Sequence, residues 1–441
     1  MKKIFLFSLL FLLLFNTNTF AVEVSAPHAI LIDLDSGKTL FQKDAYSPVY
    51  PASTTKILTA ILALENCDLN ETATASFTAI NSVYAGGTTA NIQEGETHTI
   101  RDLLCTMLVH SANDAAYILA EHIGGSTASF ASMMNTRAKE LGALSTYFVN
   151  PNGLPDASHK SSAYDMAIFA KHAMKNFPEF REIVKMTSYS LPVTKEYEEL
   201  YFSQFPDATE AIRYLSSTTN HLINPNREDF YYEYATGIKT GYTDAAANCI
   251  VAGAEKDGVE LVVVIFGASG WKNLRSDCVN LFEYGFSRLR SETLATAGSV
   301  IDTLEIKNGV ADANMLNLVV EDTLKATFSS SDLIEAFTPS IVINSDLKAP
   351  IKSGDVVGTI TYDIYNSTYS SNLIAGNTID EKVTIIEVTT NVVWNLLKLV
   401  LWFIAIVFGL FITLVLVRAY IITKKQRERS HRRAIYNSRF R

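Results

Sequence analysis

The chain has 441 residues, of which 48% are hydrophobic and 19% are charged, and its formal net charge is −9 at pH 7. This length is sufficient for two folded domains, each with its own hydrophobic core. The negative charge argues against nucleic acid as a partner, because a protein that binds the phosphate backbone needs a basic surface.

Residues 1–21 have the pattern of a secretory signal peptide. Lys2 and Lys3 supply the charged start, residues 4–15 are nearly all apolar, and Ala21 is a small residue suited to cleavage. The alternative is an uncleaved membrane anchor. The apolar run is short for a helix that spans a bilayer, so we favour cleavage and export.

Residues 22–290 form the first predicted domain. Its hydrophobic periodicity changes from strand-like to helical and back along the chain. Early and late strands with helices between them predict an α+β fold, in which helices cover one antiparallel sheet. The predicted elements are a β-hairpin at 30–41, a helical block at 54–175, strands at 248–253 and 260–266, and a helix at 273–289.

Residues 291–388 predict a second, small all-β domain. Short runs rich in β-branched residues recur there, and Asn, Asp, Gly and Ser separate them. The runs lie at 300–304, 318–320, 341–343, 356–360 and 383–386.

Residues 399–417 predict a transmembrane helix, because they contain no charged residue and about 20 apolar residues span a bilayer core. The tail at 418–441 carries nine basic residues and one acidic residue. With Lys2 and Lys3 also set aside, the rest of the chain has a net charge of −19. Basic residues beside a membrane segment stay cytoplasmic. We therefore predict a single-pass protein of the cell membrane with a cytoplasmic tail and external domains.

Three short motifs occur in order: Ser53-Thr54-Thr55-Lys56, Ser111-Ala112-Asn113 and Lys239-Thr240-Gly241. Residues three apart share one face of a helix, so the amine of Lys56 should lie beside the hydroxyl of Ser53. A lysine that is desolvated in a cleft loses basicity and can act as a general base. This motif is weak alone, because a serine at a helix start is commonly an N-cap. The same spacing also recurs at Ser269–Lys272 and Ser345–Lys348.

The other two motifs supply polar groups for a ligand. Ser111 and Asn113 fall between two helical runs, where a loop can point both side chains into a cleft. Lys239 offers a positive charge, Thr240 a hydroxyl, and Gly241 permits close approach of a ligand just before a strand. A nucleophile with an amine base, a polar relay and a cationic anchor together indicate a penicillin-recognising serine enzyme.

The cysteines and histidines give no sign of a metal or a cofactor. The four cysteines form no CxxC pair, and the eight histidines show no ligand spacing such as HExxH. We therefore expect no metal site and no cofactor, and we expect the cysteines to be buried apolar residues. The four are Cys67, Cys105, Cys249 and Cys278.

The motifs and their flanks resemble the D-alanyl-D-alanine carboxypeptidases among the low-molecular-mass penicillin-binding proteins. Residues 51–56 resemble the nucleophile segment of this family, and residues 239–243 resemble its third motif with flanks. Residues 148–154 and 349–355 resemble two further family segments, the second in the β domain. The resemblance covers most of the external chain and implies a fold like that of β-lactamases and transpeptidases.

The resemblance also implies roles for the residues of the first two motifs. Ser53 would attack the carbonyl between the two terminal D-alanines of a peptidoglycan stem peptide, and Lys56 would take its proton. Ser111, with or without Lys239, would relay a proton to the departing D-alanine. Asn113 would hydrogen-bond the substrate amide or the amine of Lys56.

In the third motif, the resemblance implies that Lys239 and Thr240 hold the terminal carboxylate. The backbone N–H groups of Ser53 and Tyr242 would form the oxyanion hole, in which one donor contributes roughly 3–4 kcal/mol. Water would then release the acyl group. Penicillin and other β-lactams would acylate Ser53 in the same way and so act as inhibitors.

Two features depart from the family. The middle motif is SAN where many relatives have SDN, and residues 399–417 look transmembrane where relatives often have an amphipathic helix. Three alternatives stay open: a transpeptidase or endopeptidase on the same substrate class, a class A-like β-lactamase, and a non-catalytic, membrane-tethered binding protein. A class A enzyme needs a glutamate that activates water, for which Glu140 is the nearest candidate.

Overall fold

The computed structural model describes residues 22–83, 87–213, 217–365, 367–382 and 385–438. The predicted signal peptide at 1–21 lies outside these residues and stays a prediction. The chain divides into two compact units. The first contains the described residues up to Thr296 together with Thr323–Ser340 and Thr361–Ser371, and the second contains Ala297–Asp322, Ile341–Ile360 and the residues from Asn372 onward.

The first unit is built on a five-stranded antiparallel sheet with the strand order β2-β1-β7-β6-β5. Its first two strands come from the start of the unit and the other three from its end. The sequence predicted strands at both ends, but of the three late strands it predicted only two and missed β5 (Ala235–Thr243). Residues His28 to Asp33 pair with Phe266 to Leu261, which joins the two ends of the unit. The strands are β1 (His28–Asp33), β2 (Thr39–Lys43), β5 (Ala235–Thr243), β6 (Ala247–Lys256) and β7 (Val259–Ala268).

The two central strands are buried on both faces, because helices cover both sides of the sheet. On β6 and β7, Val251 and Val264 belong to one apolar core, and Ile250 and Val263 belong to the other. This alternation follows the two-residue period of a strand. It also explains why β7 is an almost unbroken run of apolar residues.

Nine helices of the first unit lie among its described residues. These helices are α1 (Lys56–Asn66), α2 (Phe77–Asn81), α3 (Ile100–Val109), α4 (Asn113–Gly124), α5 (Thr127–Glu140), α6 (Ala163–Asn176), α7 (Pro178–Val184), α8 (Lys195–Gln204) and α9 (Trp271–Phe286). Helix α9 contributes to the second of the two apolar cores.

The structure corrects details of the predicted helices. The helical block is interrupted by a short antiparallel pair, β3 (Thr72–Thr74) and β4 (Thr97–Thr99). Helix α9 ends at Phe286, three residues before the predicted end, because Leu289 begins β8 (Leu289–Ala295). This strand pairs with β11 (Leu324–Ser329) in a sheet of two strands.

A second five-stranded sheet has the order β12-β13-β14-β10-β9. Strand β14 was not predicted, because its first six residues are all polar or tyrosine and its apolar residues occur only at its end. The strand predicted at 383–386 is wrong for residues 385–386, because Ile385 begins a helix. Residues 383–384 lie outside the described residues. The strands are β9 (Val300–Glu305), β10 (Met315–Val320), β12 (Ser340–Ile343), β13 (Val356–Ile364) and β14 (Ser367–Ala375).

The C-terminal helix α10 (Ile385–Ser438) has 54 residues. It includes the predicted transmembrane segment 399–417 and continues through most of the basic tail. Its stretch Thr389–Arg433 is long and apolar enough to cross a membrane, by length and composition. At a rise of 1.5 Å per residue the helix is about 80 Å long, more than twice the thickness of a bilayer core.

Candidate active site

Ser53 lies in a short 3-10 turn (Ala52–Thr55) that runs directly into α1. Its side chain does not cap the helix. Instead, the Nζ atom of Lys56, the first residue of α1, lies 2.9 Å from the Oγ atom of Ser53. The spacing in the sequence therefore has the geometric consequence that was predicted for it.

The amine of Lys56 is completely buried. Besides Ser53, it donates hydrogen bonds to Oδ1 of Asn113 at 2.7 Å and to the backbone carbonyl of Asn152 at 3.1 Å. Burial lowers the pKa of Lys56 well below its ordinary value, and the positive charge of Lys239 lowers it further, while Asp114 acts in the opposite direction. The lowered pKa favours the neutral form of the amine, which can accept a proton.

The second motif joins two helices. Ser111 lies between α3 and α4 with a backbone φ of +68°, and Asn113 is the first residue of α4. The next residue, Asp114, is buried and accepts hydrogen bonds from the backbone N–H groups of Ala90 and Ile92. This carboxylate thus holds the preceding loop against the start of α4, where Ser111 and Asn113 face the cleft. Burial raises the pKa of Asp114.

The third motif lies within β5, not before a strand as the sequence analysis predicted. Lys239 is 1% exposed, and its amine donates to Oγ of Ser111 at 3.0 Å and to the carbonyl of Thr240 at 2.9 Å. Burial lowers the pKa of Lys239 to about 7. The hydroxyl of Thr240 donates to that of Thr219 at 2.7 Å. The second and third motifs are therefore in direct contact.

Two glycines permit the close packing around Ser53. A Cβ atom on Gly241 would lie 3.0 Å from the backbone nitrogen of Ser53, so β5 passes directly beside the nucleophile segment. A Cβ atom on Gly153 would lie 1.8 Å from the carbonyl oxygen of Ala52, and its φ of +87° also favours glycine. The loop that contains Gly153 is fixed to α1 by a hydrogen bond of 2.6 Å from Thr59 to the carbonyl of Pro151.

An open cleft of about 870 Å³ lies over these residues. Ser53, Ser111 and Asn113 line it, whereas the two buried lysines contact its lining residues. Tyr242 projects at its edge, 63% exposed, and its hydroxyl is 3.2 Å from Oδ1 of Asp244. The other lining residues are Gly87, Thr88, Asn152, Gly153, Leu154, Pro155, Thr219, His221, Thr240, Gly241, Thr243, Asp244, Ala245 and Trp271.

Sequence reasoning missed part of this lining. Asn152 and Gly153 were noted only as part of a family-like segment, whereas Thr219, His221 and Trp271 gave no signal. His221 stacks on Trp271, with 4.5 Å between the ring centroids, and forms one wall of the cleft. The aromatic and acidic segment at 197–234 therefore contributes to the cleft through Thr219 and His221.

The other candidate residues lie elsewhere. Glu140 is at the end of α5, paired with Arg137 at 2.9 Å, and does not line the cleft. The structure therefore offers no support for the class A β-lactamase alternative. The two other SxxK pairs consist of exposed residues outside the cleft, in accord with a chance origin: Ser269, Lys272, Ser345 and Lys348.

Comparison with known proteins gives the family. Residues 16–270 match the D-alanyl-D-alanine carboxypeptidase family, and residues 290–381 match the C-terminal domain of penicillin-binding protein 5. The chain belongs to the D-alanyl-D-alanine carboxypeptidase family. It is a serine-type carboxypeptidase, a hydrolase, and the family resemblance seen in its motifs is confirmed.

Individual relatives agree with this assignment. The D-alanyl-D-alanine carboxypeptidase DacF of Bacillus subtilis is 33% identical over 289 residues, which cover 64% of this chain and 68% of DacF. Penicillin-binding protein 5 of Haemophilus influenzae has the same fold, with a TM-score of 0.57 at 23% identity over 82% of this chain and all of that chain. The predicted α+β fold, followed by a β-rich domain and a long apolar helix, is confirmed.

A third relative has a different named activity. A DD-transpeptidase from Streptomyces, solved as a point mutant, is 31% identical, with a TM-score of 0.53 over 60% of this chain and 99% of that chain. One of the proteins with a similar structure is therefore named as a transpeptidase, which is one of the alternatives left open by the sequence.

Substitution of Gly153 by alanine should disrupt the nucleophile segment, because the new methyl group would lie 1.8 Å from the carbonyl of Ala52. We expect a loss of more than about 3 kcal/mol of folding stability, measured by the thermal midpoint of the full-length protein in detergent. Gly142→Ala is the matched control. Its φ of +88° is nearly the same, but no atom of the described residues lies within 4 Å of the new Cβ, so only the backbone strain of roughly 1–2 kcal/mol remains. Equal losses in the two variants would contradict the close contact.

Proposed function

We propose that this protein removes the terminal D-alanine from peptidoglycan stem peptides through an acyl-enzyme on Ser53. The observation that carries the proposal is the buried amine of Lys56, 2.9 Å from the Ser53 hydroxyl in a family of D-alanyl-D-alanine carboxypeptidases. A neutral amine in this position can accept a proton, which makes the hydroxyl a nucleophile.

In the first step, Oγ of Ser53 attacks the carbonyl carbon between the two terminal D-alanines, and its proton passes to Lys56. The C–N bond then breaks, and the nitrogen of the departing D-alanine receives a proton. Ser111 is suited to this relay, because it lines the cleft and accepts a hydrogen bond from Lys239. In the second step, water attacks the ester, and Ser53 regains its proton as the shortened peptide leaves.

Binding of the terminal carboxylate is assigned to the third motif. Lys239, when charged, supplies the positive charge that the substrate carboxylate needs, and Thr240 supplies a hydroxyl at the cleft surface. Asn113 links Lys56 to the cleft and can hydrogen-bond the substrate amide. The backbone N–H groups of Ser53 and Tyr242 would hold the oxyanion, and the close approach of Gly241 to Ser53 supports this assignment.

β-Lactams should act as inhibitors by the same first step. The strained amide of penicillin presents its carbonyl to Ser53, but its leaving nitrogen stays attached to the acyl group. The open cleft has room for such a ligand.

A DD-transpeptidase is the second candidate, favoured by the 31% identity to the Streptomyces enzyme. The two functions share the acyl-enzyme and differ in whether water or an amine attacks it. Product analysis with a D-amino acid as acceptor separates them, because a transpeptidase yields the exchanged peptide and a carboxypeptidase the shortened one.

We further propose that the cleft faces the outside of the cell membrane. The signal-like residues 1–21 direct export, and the apolar part of α10 anchors the chain. The basic residues from Arg418 onward would then remain in the cytoplasm.

Ser53→Ala should lower the release of D-alanine by about 10⁴-fold or more, because the variant lacks the nucleophile. The assay uses the full-length protein in detergent and a peptide that ends in D-Ala-D-Ala. Ser345→Ala is the matched control, since Ser345 also precedes a lysine by three residues but is exposed. Release by the Ser53→Ala variant within tenfold of the wild type would exclude the proposed mechanism.

The two lysines should produce a bell-shaped pH profile. Lys56 must be neutral to accept a proton, so activity falls when the pH drops through its lowered pKa. Lys239 must be charged to bind the carboxylate, so kcat/KM should fall as the pH rises above about 7. The bound carboxylate raises the pKa of Lys239, so the alkaline decline of kcat should occur at higher pH. Steady-state kinetics over the pH range in which the protein stays folded measures both limbs.

Lys239→Gln is the control for the alkaline limb. This variant should have a raised KM at every pH, and its kcat/KM should no longer fall above about pH 7. A wild-type kcat/KM that stays constant as the pH rises from about 7 to about 9 would contradict the role of Lys239.

A further inference from the structure

Three side chains that can bind a metal ion lie close together in space and are not part of the active-site cleft. One ligand atom from each of Cys67, Glu71 and His122 lies within 4.8 Å of the other two. Oε1 of Glu71 and Nε2 of His122 are 2.9 Å apart. None of the three lines the active-site cleft. His122 is 51 residues from Glu71 in the sequence, which explains why no ligand pattern was recognised there.

Cys67 differs from the other cysteines. Cys105, Cys249 and Cys278 are buried, as expected, whereas Cys67 is partly exposed and all four are free thiols. The expectation of a buried apolar residue is therefore wrong for Cys67. Its accessible thiol is available to a ligand from solvent.

The backbone fixes all three residues in place. Cys67 directly follows α1, and its N–H donates to the carbonyl of Ala63 at 3.1 Å. The carbonyl of Glu71 accepts a hydrogen bond of 2.8 Å from Ile100 at the start of α3. His122 lies in the last turn of α4. The fold therefore sets the backbone positions from which the three side chains reach a common ligand.

The ligand set suits zinc. Zinc binds thiolate sulfur at about 2.3 Å, imidazole nitrogen at about 2.0–2.1 Å and carboxylate oxygen at about 2.0–2.2 Å. In tetrahedral geometry these bonds place ligand atoms roughly 3.3–3.6 Å apart, which small rotamer changes can reach from the present separations. Water completes a site that has three protein ligands.

The position in the fold also favours a cation. Cys67 follows the C-terminal end of α1, and His122 lies at the C-terminal end of α4. The C-terminus of a helix carries a partial negative charge, so two helix ends add to the negative charge of Glu71. The cluster therefore attracts a cation through its surroundings as well as through its ligands.

We propose that Cys67, Glu71 and His122 form a zinc site that joins the C-terminal ends of α1 and α4. The first residues of these helices are Lys56 and Asn113, whose side chains are hydrogen-bonded to each other in the active site. In this proposal the zinc ion links two helices and keeps a water as its fourth ligand. It ties together the far ends of the two helices, where Cys67 is 11 residues from Lys56 and His122 is 9 residues from Asn113.

A similar pair elsewhere lacks the ligands that zinc requires. Nε2 of His172 lies 3.2 Å from Oε1 of Glu65, and the side chain of His172 is about as exposed as that of His122, although Glu65 is less exposed than Glu71. There the third neighbour is Arg137, whose guanidinium group contacts Glu65 at 2.7 Å and repels a metal ion. His172→Ala is therefore a matched control that removes a histidine–glutamate pair without removing the zinc site.

The test is a titration of the full-length, reduced and chelator-treated protein in detergent with Co²⁺, followed by displacement with Zn²⁺. Ligation by a thiolate gives a sulfur-to-cobalt charge-transfer band in the near ultraviolet. We expect this band to saturate at one equivalent, to disappear when Zn²⁺ is added, and to be absent in Cys67→Ser. His122→Ala should weaken binding by about tenfold or more, and His172→Ala should bind as the wild type does.

The thermal midpoint supplies a second readout. Zn²⁺ should raise the midpoint of the wild type and of His172→Ala, and leave that of Cys67→Ser unchanged, since a ligand that binds only the folded state stabilises it. D-alanine release by each variant reports on its fold independently of the metal. Absence of the band in the wild type, or its persistence in Cys67→Ser, would overturn the proposal, whatever the outcome of the Ser53→Ala assay.

Discussion

The burial of two lysine amines in one site is the constraint on which the rest of the structure depends. Lys56 and Lys239 are 0% and 1% exposed, and among the described residues their polar contacts are to hydroxyl, amide and carbonyl oxygens. A charged amine without a carboxylate partner is costly to bury, so the neutral form is favoured. Because the positive charge of Lys239 also disfavours charge on Lys56, Lys56 can serve as the base and Lys239 as the anchor.

The fold provides this environment through contacts between distant parts of the chain. Helices α1 and α4 bring Lys56 and Asn113 together, and strand β5 brings Lys239 to Ser111. Glycine at 153 and 241 lets the loop and the strand approach the nucleophile segment to distances that a side chain would prevent. Asp114 acts in the opposite direction and favours charge on Lys56, and it accepts hydrogen bonds from the backbone N–H groups of Ala90 and Ile92.

Much of this arrangement could be predicted from local sequence. The three-residue spacing of Ser53 and Lys56 dictates their proximity in a helical turn, and alternating apolar residues indicate the hairpin of β1 and β2. The contact of Lys239 with Ser111 could not be derived from spacing, because it depends on how strand and helices pack. The resemblance to a family supplied it instead.

The failures have physical reasons as well. Strand β14 escaped prediction because an exposed, polar strand has no continuous apolar face, and Ile385 was placed in a strand because β-branched residues also occur in long apolar helices. The wall formed by His221 and Trp271, and the cluster of Cys67 with His122, combine residues from separate elements. Neither group of residues produces a recognisable spacing along the sequence.

The central claim is that Lys56 is the neutral base that activates Ser53. The most direct measurement is the rate at which benzylpenicillin acylates the full-length protein, followed by mass spectrometry of the peptide that contains Ser53, for the wild type and Lys56→Gln. The account predicts an adduct on Ser53 in the wild type and a rate about 10²–10⁴-fold lower in the variant, since general base catalysis contributes that much. Acylation of Lys56→Gln at the wild-type rate, or an adduct on another residue, would contradict it.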